Sequence, residues 1–220
     1  MIKSFFKDIF PFWNNLSESD RTLLASNTYT ETYKKGEEVH NSGECSGLFA
    51  VVSGKLRVYI LSDEGKEITL YRLTRGEVCM LSASCVIQSI TFDVLVSAEE
   101  DTVCYRTAPM AFGDVIERVP EAKIYALETT VTRFSDVMWV LQQILFMSMD
   151  KRVAIFLLDE AQGTGTDVIA MTHEQIARHL GTAREVITRI LKHLSSDGII
   201  EVTRGGIEIK DKRKLQKLAY

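Results

Sequence analysis

The residue types best suited to selective chemistry lie between Arg184 and Lys192, where polar and apolar side chains recur with the period of a helix. At about 100° per residue, one arc of this helix is entirely polar and consists of Arg184, Glu185, Thr188, Arg189 and Lys192. The opposite arc consists of Val186, Ile187, Ile190, Leu191 and Leu194. A guanidinium can bond guanine O6 and N7 together, and a carboxylate can accept from cytosine N4. The polar arc therefore predicts a surface that reads base edges in duplex DNA, with a merely solvated helix face as the alternative.

A second helix must hold this arc in place, and the preceding residues predict one. Thr172 and Gln175 have the spacing of a capping box, and Gly181 then supplies a tight turn. Thr182 and Glu185 repeat the capping-box spacing directly afterwards. Two capped helices joined by so short a turn predict a helix-turn-helix, and we assign both threonines to its DNA face.

A hairpin is predicted directly after the second helix. Asp197-Gly198 turns into two strands, 199–203 and 207–209, which are joined at Arg204-Gly205-Gly206. Such a hairpin would form a wing beside the reading helix and bring Arg204 within reach of phosphate. A hairpin that only covers the core fits the sequence equally well.

A heptad pattern predicts the element that joins the two halves of the chain. Between Glu121 and Met149, apolar residues recur at alternating steps of three and four, namely Ile124, Leu127, Val131, Phe134, Met138, Leu141 and Leu145. This seam is typical of parallel helices that pair along one narrow stripe, and Pro120 is well placed to open the helix. We therefore predict a dimerisation helix, with a long core helix inside one subunit as the alternative. Further apolar residues predict that the helix also packs on its own domain: Val137, Trp139, Val140, Ile144 and Phe146.

Short alternating segments punctuated by glycine run from Thr28 to about Arg106, after a short helix that Ser17 is predicted to cap. The predicted strands are 48–52, 56–60, 67–73, 93–98 and 102–105. Several short strands at this spacing predict a small antiparallel barrel or jelly roll. The fold class predicted for the whole chain is therefore α+β.

Composition and charge restrict the partners. With 220 residues, 45% apolar and 25% charged, the chain is predicted to form two small soluble domains. Residues 1–149 carry a net charge of −6 and residues 150–220 a net charge of +2, which favours contact with a polyanion through the last third alone. No apolar run approaches the ~20 residues of a membrane span, so no membrane partner is expected. Four cysteines without a recognisable export signal predict reduced thiols and a cytoplasmic protein.

These motifs together resemble a known family. The segment Met171–Ile209 resembles the winged helix-turn-helix of the Crp/Fnr transcription regulators. Gly36, Gly54 and the Gly76-Glu77 pair resemble glycine positions in that family's cyclic-nucleotide-binding barrel. The resemblance therefore covers nearly the whole chain.

The resemblance implies a domain order and a set of base contacts. The implied parts are a jelly-roll sensor domain at 1–119, a dimerisation helix and linker at 120–149, and a winged helix-turn-helix DNA-binding domain at 150–220. Arg184, Glu185 and Arg189 match the family's base-contacting Arg-Glu-x-x-x-Arg in type and spacing. The implied partners are double-stranded DNA with an inverted-repeat operator, a second copy of the chain, RNA polymerase and a small-molecule or redox effector.

Two other classes of function remain as alternatives. One is an effector-binding signalling module whose winged helix contacts protein instead of DNA. The other is an enzyme, which is the least favoured because the sequence has no nucleophile paired with a base, no P-loop and no metal-ligand spacing. We accordingly predict no catalytic residues and no metal site.

The candidate effector pocket comprises Gly76, Glu77, Cys79, Cys85, Phe92 and Asp93. In cyclic-nucleotide-binding relatives, Gly-Glu opens a phosphate cassette that an Arg-Ser pair closes. Here the stretch 86–93 contains no arginine, and Phe92-Asp93 stands where that pair should lie. Because an aspartate would repel a phosphate, the resemblance predicts that cyclic AMP is not the effector.

The cysteines are the candidate ligands for a cofactor. The stretch 79–85 resembles the CO-sensing haem activators of the same family, but Leu81 replaces their histidine. Haem ligation by the Cys79 thiolate, and with it a gas or redox sensor, is kept as an alternative. The iron–sulfur branch needs clustered N-terminal cysteines, and none precedes Cys45, so no cluster is expected. The favoured role of Cys79 and Cys85 is packing, with a redox or metal role second.

Overall fold

The computed structural model describes residues 2–41, 46–80 and 94–220. The chain forms two compact units, of which the first comprises Met1–Ile60 with Leu70–Val137 and the second comprises Leu61–Thr69 with Met138–Tyr220. Antiparallel sheets, a long helix and a C-terminal helix-turn-helix follow one another, so the predicted α+β fold class is confirmed.

Unit 1 contains the predicted strands and several helices. Its helices are α1 (Ile2–Ile9), α2 (Glu18–Ser26) and α3 (Pro109–Arg118), with a 3₁₀ turn at Pro11–Asn15. The strands are β1 (Thr28–Tyr33), β2 (Glu38–His40), β3 (Leu48–Ser53), β4 (Leu56–Leu61), β5 (Glu67–Leu73), β6 (Val78–Cys79), β7 (Leu95–Ala98) and β8 (Thr102–Thr107). The sequence analysis missed α1, β1, β2 and β6. It placed β5 at its observed bounds, and Ser17 caps α2 as predicted.

Two four-stranded sheets build the body of unit 1, in the strand orders β1-β8-β3-β6 and β2-β7-β4-β5. Strand β3 shows how the core is divided. Phe49 and Val51 lie in the cluster shared by strands of both sheets, whereas Leu48 and Ala50 lie in a second cluster with the N-terminal helices. Both faces of the strand are buried, which explains its continuous apolar run.

The long helix is α4 (Pro120–Phe146), and its residues up to Val137 belong to unit 1. Ala122 and Ala126 are buried, while Tyr125 packs on the rings of Phe10 and Phe12. All seven seam residues are exposed, with 64% of Val131 and 63% of Phe134 open to solvent. In the described chain no helix, α4 included, is long and apolar enough to cross a bilayer.

The additional apolar residues of α4 largely do not pack as predicted. Trp139, Ile144 and Phe146 are exposed, and only Val137 lies against a buried cluster. The helix instead approaches unit 1 through small alanines, because a short side chain lets two elements come close together. A prediction based on large side chains alone could not find that face.

Unit 2 continues from α4. Its elements are α5 (Met149–Thr164), β9 (Val168–Ile169), α6 (His173–Leu180), α7 (Arg184–Ser196), β10 (Ile200–Thr203), β11 (Gly206–Ile209) and α8 (Lys212–Ala219). Helix α5 ends at Gly165, which lies in the left-handed region with φ +68°. The sequence analysis missed β9 and α8, and Leu215 and Ala219 of α8 are buried in the unit's core.

We expect Gly54→Ala to destabilise the protein much more than Gly65→Ala. Both glycines have positive φ, +88° and +79°, so either alanine costs about 1–2 kcal/mol in backbone strain. At Gly54 the new Cβ would also meet Thr102 Oγ1 at 2.4 Å and the Asp101 carbonyl oxygen at 2.6 Å, whereas nothing lies within 4 Å at Gly65. That clash should add about 1–3 kcal/mol. Urea unfolding of the two variants measures the difference, and equal midpoints would contradict it.

Candidate DNA-binding site

Helix α7 has the two faces that its sequence predicts. Ile187, Ile190, Leu191 and Leu194 are buried, and Val186 packs partly against them. The polar arc is exposed along its whole length, at Arg184, Glu185, Thr188, Arg189 and Lys192. The apolar face therefore fixes the rotation of the helix and turns every predicted base-reading side chain outward.

The turn before α7 is confirmed in part. Thr172 and Gln175 form the predicted capping box, with the Gln175 N–H donating to Thr172 Oγ1 and the Thr172 N–H donating to Gln175 Oε1. Gly181 ends α6 with φ +65°. The second capping box is wrong: α7 begins at Arg184, and its N-cap Ala183 makes no side-chain cap hydrogen bond.

Thr182 serves the end of α6 instead of the start of α7. Its backbone N–H donates to the Ala177 carbonyl at 3.0 Å, which completes the turn that Gly181 opens. Its side chain is half-buried, whereas Thr172 is exposed. Of the two threonines assigned to the DNA face, Thr172 is therefore the more accessible.

Two contacts within unit 2 support the turn, and neither was foreseen. The buried Arg152 of α5 donates from Nη2 to the Leu180 carbonyl at 2.7 Å and so satisfies a terminal acceptor of α6. A Cβ at Gly181 would lie 2.4 Å from Cγ1 of Ile68, which is in the part of β5 that belongs to unit 2, so a side chain at this position would be obstructed. Single residues far apart in sequence make these contacts, and spacing gives no signal for them.

The predicted wing is present and has three strands. Strand β10 pairs with β11, which pairs with β9, and Thr203 Oγ1 accepts the Gly205 N–H at the tip. Arg204 is exposed at this tip, as the sequence predicts. Gly206 permits the close pairing, since a Cβ there would meet the Ile169 carbonyl oxygen at 2.1 Å.

Ion pairing separates the basic residues of unit 2 into two groups. Lys210 Nζ lies 2.8 Å from both Glu201 and Glu208, which face each other across the hairpin, and Lys212 lies 3.5 Å from Asp167. Within the described residues, by contrast, no ion pair engages Arg184, Arg189, Lys192 or Arg204. The cations of the polar arc and the wing tip are therefore among those left available to an external anion.

The predicted effector pocket is described only in part, because Cys85, Phe92 and Asp93, with Leu81, lie outside the described residues. Gly76 turns the chain with φ +86°, and Glu77 accepts hydrogen bonds from the N–H and Oγ1 of Thr74 at 2.8 and 2.9 Å. Arg133 of α4 donates to the other oxygen of Glu77 at 2.9 Å. Burial raises the pKa of Glu77, but these hydrogen bonds outweigh it and the net pKa is lowered.

Arg133 is a partner of Glu77 that the sequence analysis missed. Besides Glu77 it binds Asp136 at 3.1 Å, and its guanidinium carbon lies 4.8 Å from the centre of the Tyr71 ring. Burial raises the pKa of Tyr71 well above its usual value. The Asp136 partner at i+3 is the one sequence signal that marked this arginine, and that spacing is common on solvated helices.

Cys79 is fully buried, as the packing interpretation predicts. Burial also raises the pKa of the neighbouring Cys104 thiol to about 12, so that thiol is protonated at neutral pH. No cluster of three potential metal-ligating side chains occurs in residues 2–41, 46–80 and 94–220.

Comparison with known families agrees with this geometry. The cyclic nucleotide-binding domain matches residues 30–119, and the Crp-like helix-turn-helix domain matches residues 151–218. The two matches cover the strand-rich part of unit 1 and most of unit 2.

Individual relatives extend the match to nearly the full length. A solved structure from Eubacterium rectale, assigned to the Crp/Fnr family of transcriptional regulators, is 45% identical, covers 96% of this chain and 99% of its own, and has a TM-score of 0.92. The cyclic AMP receptor protein of Thermus thermophilus is 24% identical over 96% of this chain and 97% of its own. The transcriptional activator anr of Pseudomonas aeruginosa is 26% identical over 84% of this chain and 78% of its own. The chain therefore belongs to the Crp/Fnr family of DNA-binding transcription regulators.

Proposed function

We propose that this regulator binds an inverted-repeat operator as a homodimer, under the control of an effector that acts on unit 1. The observation that carries the proposal is the polar arc of α7, whose cations are exposed and make no ion pair with any described residue. Such a protein would act in the bacterial cytoplasm, with RNA polymerase as a further partner.

The roles within the site follow from side-chain chemistry and position. Arg184 and Arg189 are suited to guanine, and Glu185 is suited to cytosine, because these groups match the donor and acceptor patterns of those bases in the major groove. Lys192 lies farther along α7, and Arg204 lies at the wing tip, where single cations serve to contact phosphate. Phosphate contacts would fix the position of α7 in the groove, and the base contacts would then read the sequence.

Dimerisation is proposed through α4. Seven seam residues are exposed on one stripe of this helix, and soluble monomers rarely expose a contiguous apolar stripe of that length. A second copy of the same helix is the partner that an a/d repeat fits. Two-fold symmetry would then present two α7 helices about one DNA turn apart, which calls for an inverted repeat.

Replacing Leu127 and Phe134 together by Asp should convert dimers to monomers, because both residues lie in the exposed seam and the new carboxylates would face each other. Sedimentation equilibrium at micromolar concentration measures the change. The control is Thr132→Asp with Ser135→Asp, which adds the same charge on exposed positions of α4 outside the seam. A monomeric wild type would contradict the dimer proposal.

Arg189→Ala and Lys192→Ala should weaken DNA binding in different ways. Loss of the guanidinium should cost about 1–3 kcal/mol per half-site and relax the preference at one guanine. Loss of the lysine should weaken all sequences alike and reduce the salt slope by about one per phosphate contact. Selection from random duplexes, with any required effector present, followed by salt titration, tests both. Recovery of one unchanged motif from an Arg184→Ala/Arg189→Ala double variant would remove these residues from the reading role.

Effector control is proposed to reach α4 through the Gly76-Glu77 turn. The Glu77–Arg133 ion pair joins that turn to the dimerisation helix at 2.9 Å. A ligand that displaces or strengthens this pair would act directly on the helix.

Cyclic AMP is not expected to be that ligand, since the stretch 86–93 lacks an arginine and contains Asp93. Isothermal calorimetry of the full-length protein with cyclic AMP should show no heat of specific binding. Saturable binding at micromolar concentration would place the phosphate cassette elsewhere in the chain.

A further inference from the structure

A histidine that the sequence analysis did not single out lies on the DNA-binding face. His173 is the first residue of α6, and its Nδ1 lies 2.9 Å from the Thr188 Oγ1 of α7. Thr188 belongs to the polar arc. The imidazole therefore bridges the two helices of the helix-turn-helix on the side that carries the available cations.

The hydrogen bonds of Thr188 determine which ring nitrogen can bind a proton. Its hydroxyl donates its single hydrogen to the Arg184 carbonyl at 3.0 Å, so the same oxygen accepts from His173. Nδ1 therefore carries the hydrogen of the neutral ring, and Nε2 is left with a lone pair. Nε2 is the atom that a proton from solvent would occupy.

The surroundings disfavour that proton in the free protein. Partial burial, and then the positive charge of Arg184, lower the pKa of His173 below its usual value. The carboxylate nearest to His173 in the sequence of α6 is that of Glu174. Its Oε1 lies 3.7 Å from Nε of Arg178, so the charge of that arginine offsets the charge of the carboxylate. The ring is therefore neutral at pH 7 in the absence of DNA.

A phosphate backbone reverses the sign of the local field. Anions close to α6 and α7 offset the charge of Arg184 and favour the imidazolium. We propose that His173 takes up a proton at Nε2 when this face binds the backbone of duplex DNA, so that affinity rises as pH falls through neutrality. The inference rests on the proposed DNA-binding function and adds a pH-dependent phosphate contact to it.

The direction in which DNA affinity changes with pH follows from the linkage between proton binding and DNA binding. The complex would hold one more proton per half-site than the free components, so affinity must fall as pH rises. A rise of one unit in the pKa of the histidine on binding corresponds to a tenfold gain in affinity. For such a rise we expect binding to weaken by up to about tenfold per half-site between pH 6 and pH 8, the range in which histidine changes charge.

The test compares wild type, His173→Gln and His193→Gln on the inverted-repeat duplex selected with the wild type, at pH 6, 7 and 8 and constant salt. His193 is an exposed histidine near the end of α7 that lies outside the polar arc, so it is the matched control. Wild type and His193→Gln should lose affinity with rising pH, whereas His173→Gln should be nearly flat and equal to wild type at pH 8. Calorimetry in buffers of different ionisation enthalpy should show proton uptake by wild type that His173→Gln lacks.

The outcomes separate this inference from the function on which it rests. Binding with the same pH dependence in wild type and His173→Gln, or binding without proton uptake, would overturn the role of His173 and leave the DNA-binding proposal intact. Failure of the wild type to bind duplex DNA at every pH would overturn both. The thermal midpoints of all three proteins check that the substitutions leave the fold unchanged.

Discussion

Burial of the apolar face of α7 is the constraint on which the DNA-binding surface depends. Its four buried side chains each contribute about 1.5–3 kcal/mol when removed from water, and together they leave the helix one acceptable rotation. In that rotation the polar arc faces outward. The proposed base contacts would thus depend on core packing, because the same burial that stabilises unit 2 presents the arginines.

Ion pairs determine which basic side chains of unit 2 have their charge offset inside the fold. Lys210 separates two carboxylates that would otherwise repel each other across the β10–β11 pair, so its charge is used inside the fold. The arginines of α7 have no such internal partner within the described chain. A modest net charge of +2 over residues 150–220 therefore understates the local positive field at the reading face.

Helix α4 is packed on unit 1 along one stripe and exposed along another. Near its start, small alanines and Tyr125 fix it to the aromatic residues of unit 1. Along another stripe its seam stays uncovered in the single chain. Arg133 lies on the same helix and binds the Glu77 turn, so a change at that turn would reach the helix that carries the proposed dimer interface.

The sequence by itself determined the elements whose signal is local. The period of α7, the capping box at Thr172, the turn at Gly181 and the exposed seam of α4 were all predicted, because regular helices repeat their environment every few residues. The tertiary structure decided the rest. It showed that Thr182 closes α6, that Trp139 and Phe146 stay exposed, and that Arg133, Arg152 and His173 each have a specific partner. Those partners lie 15 to 56 residues away, and only chain folding brings such groups together, so no spacing in the sequence could indicate them.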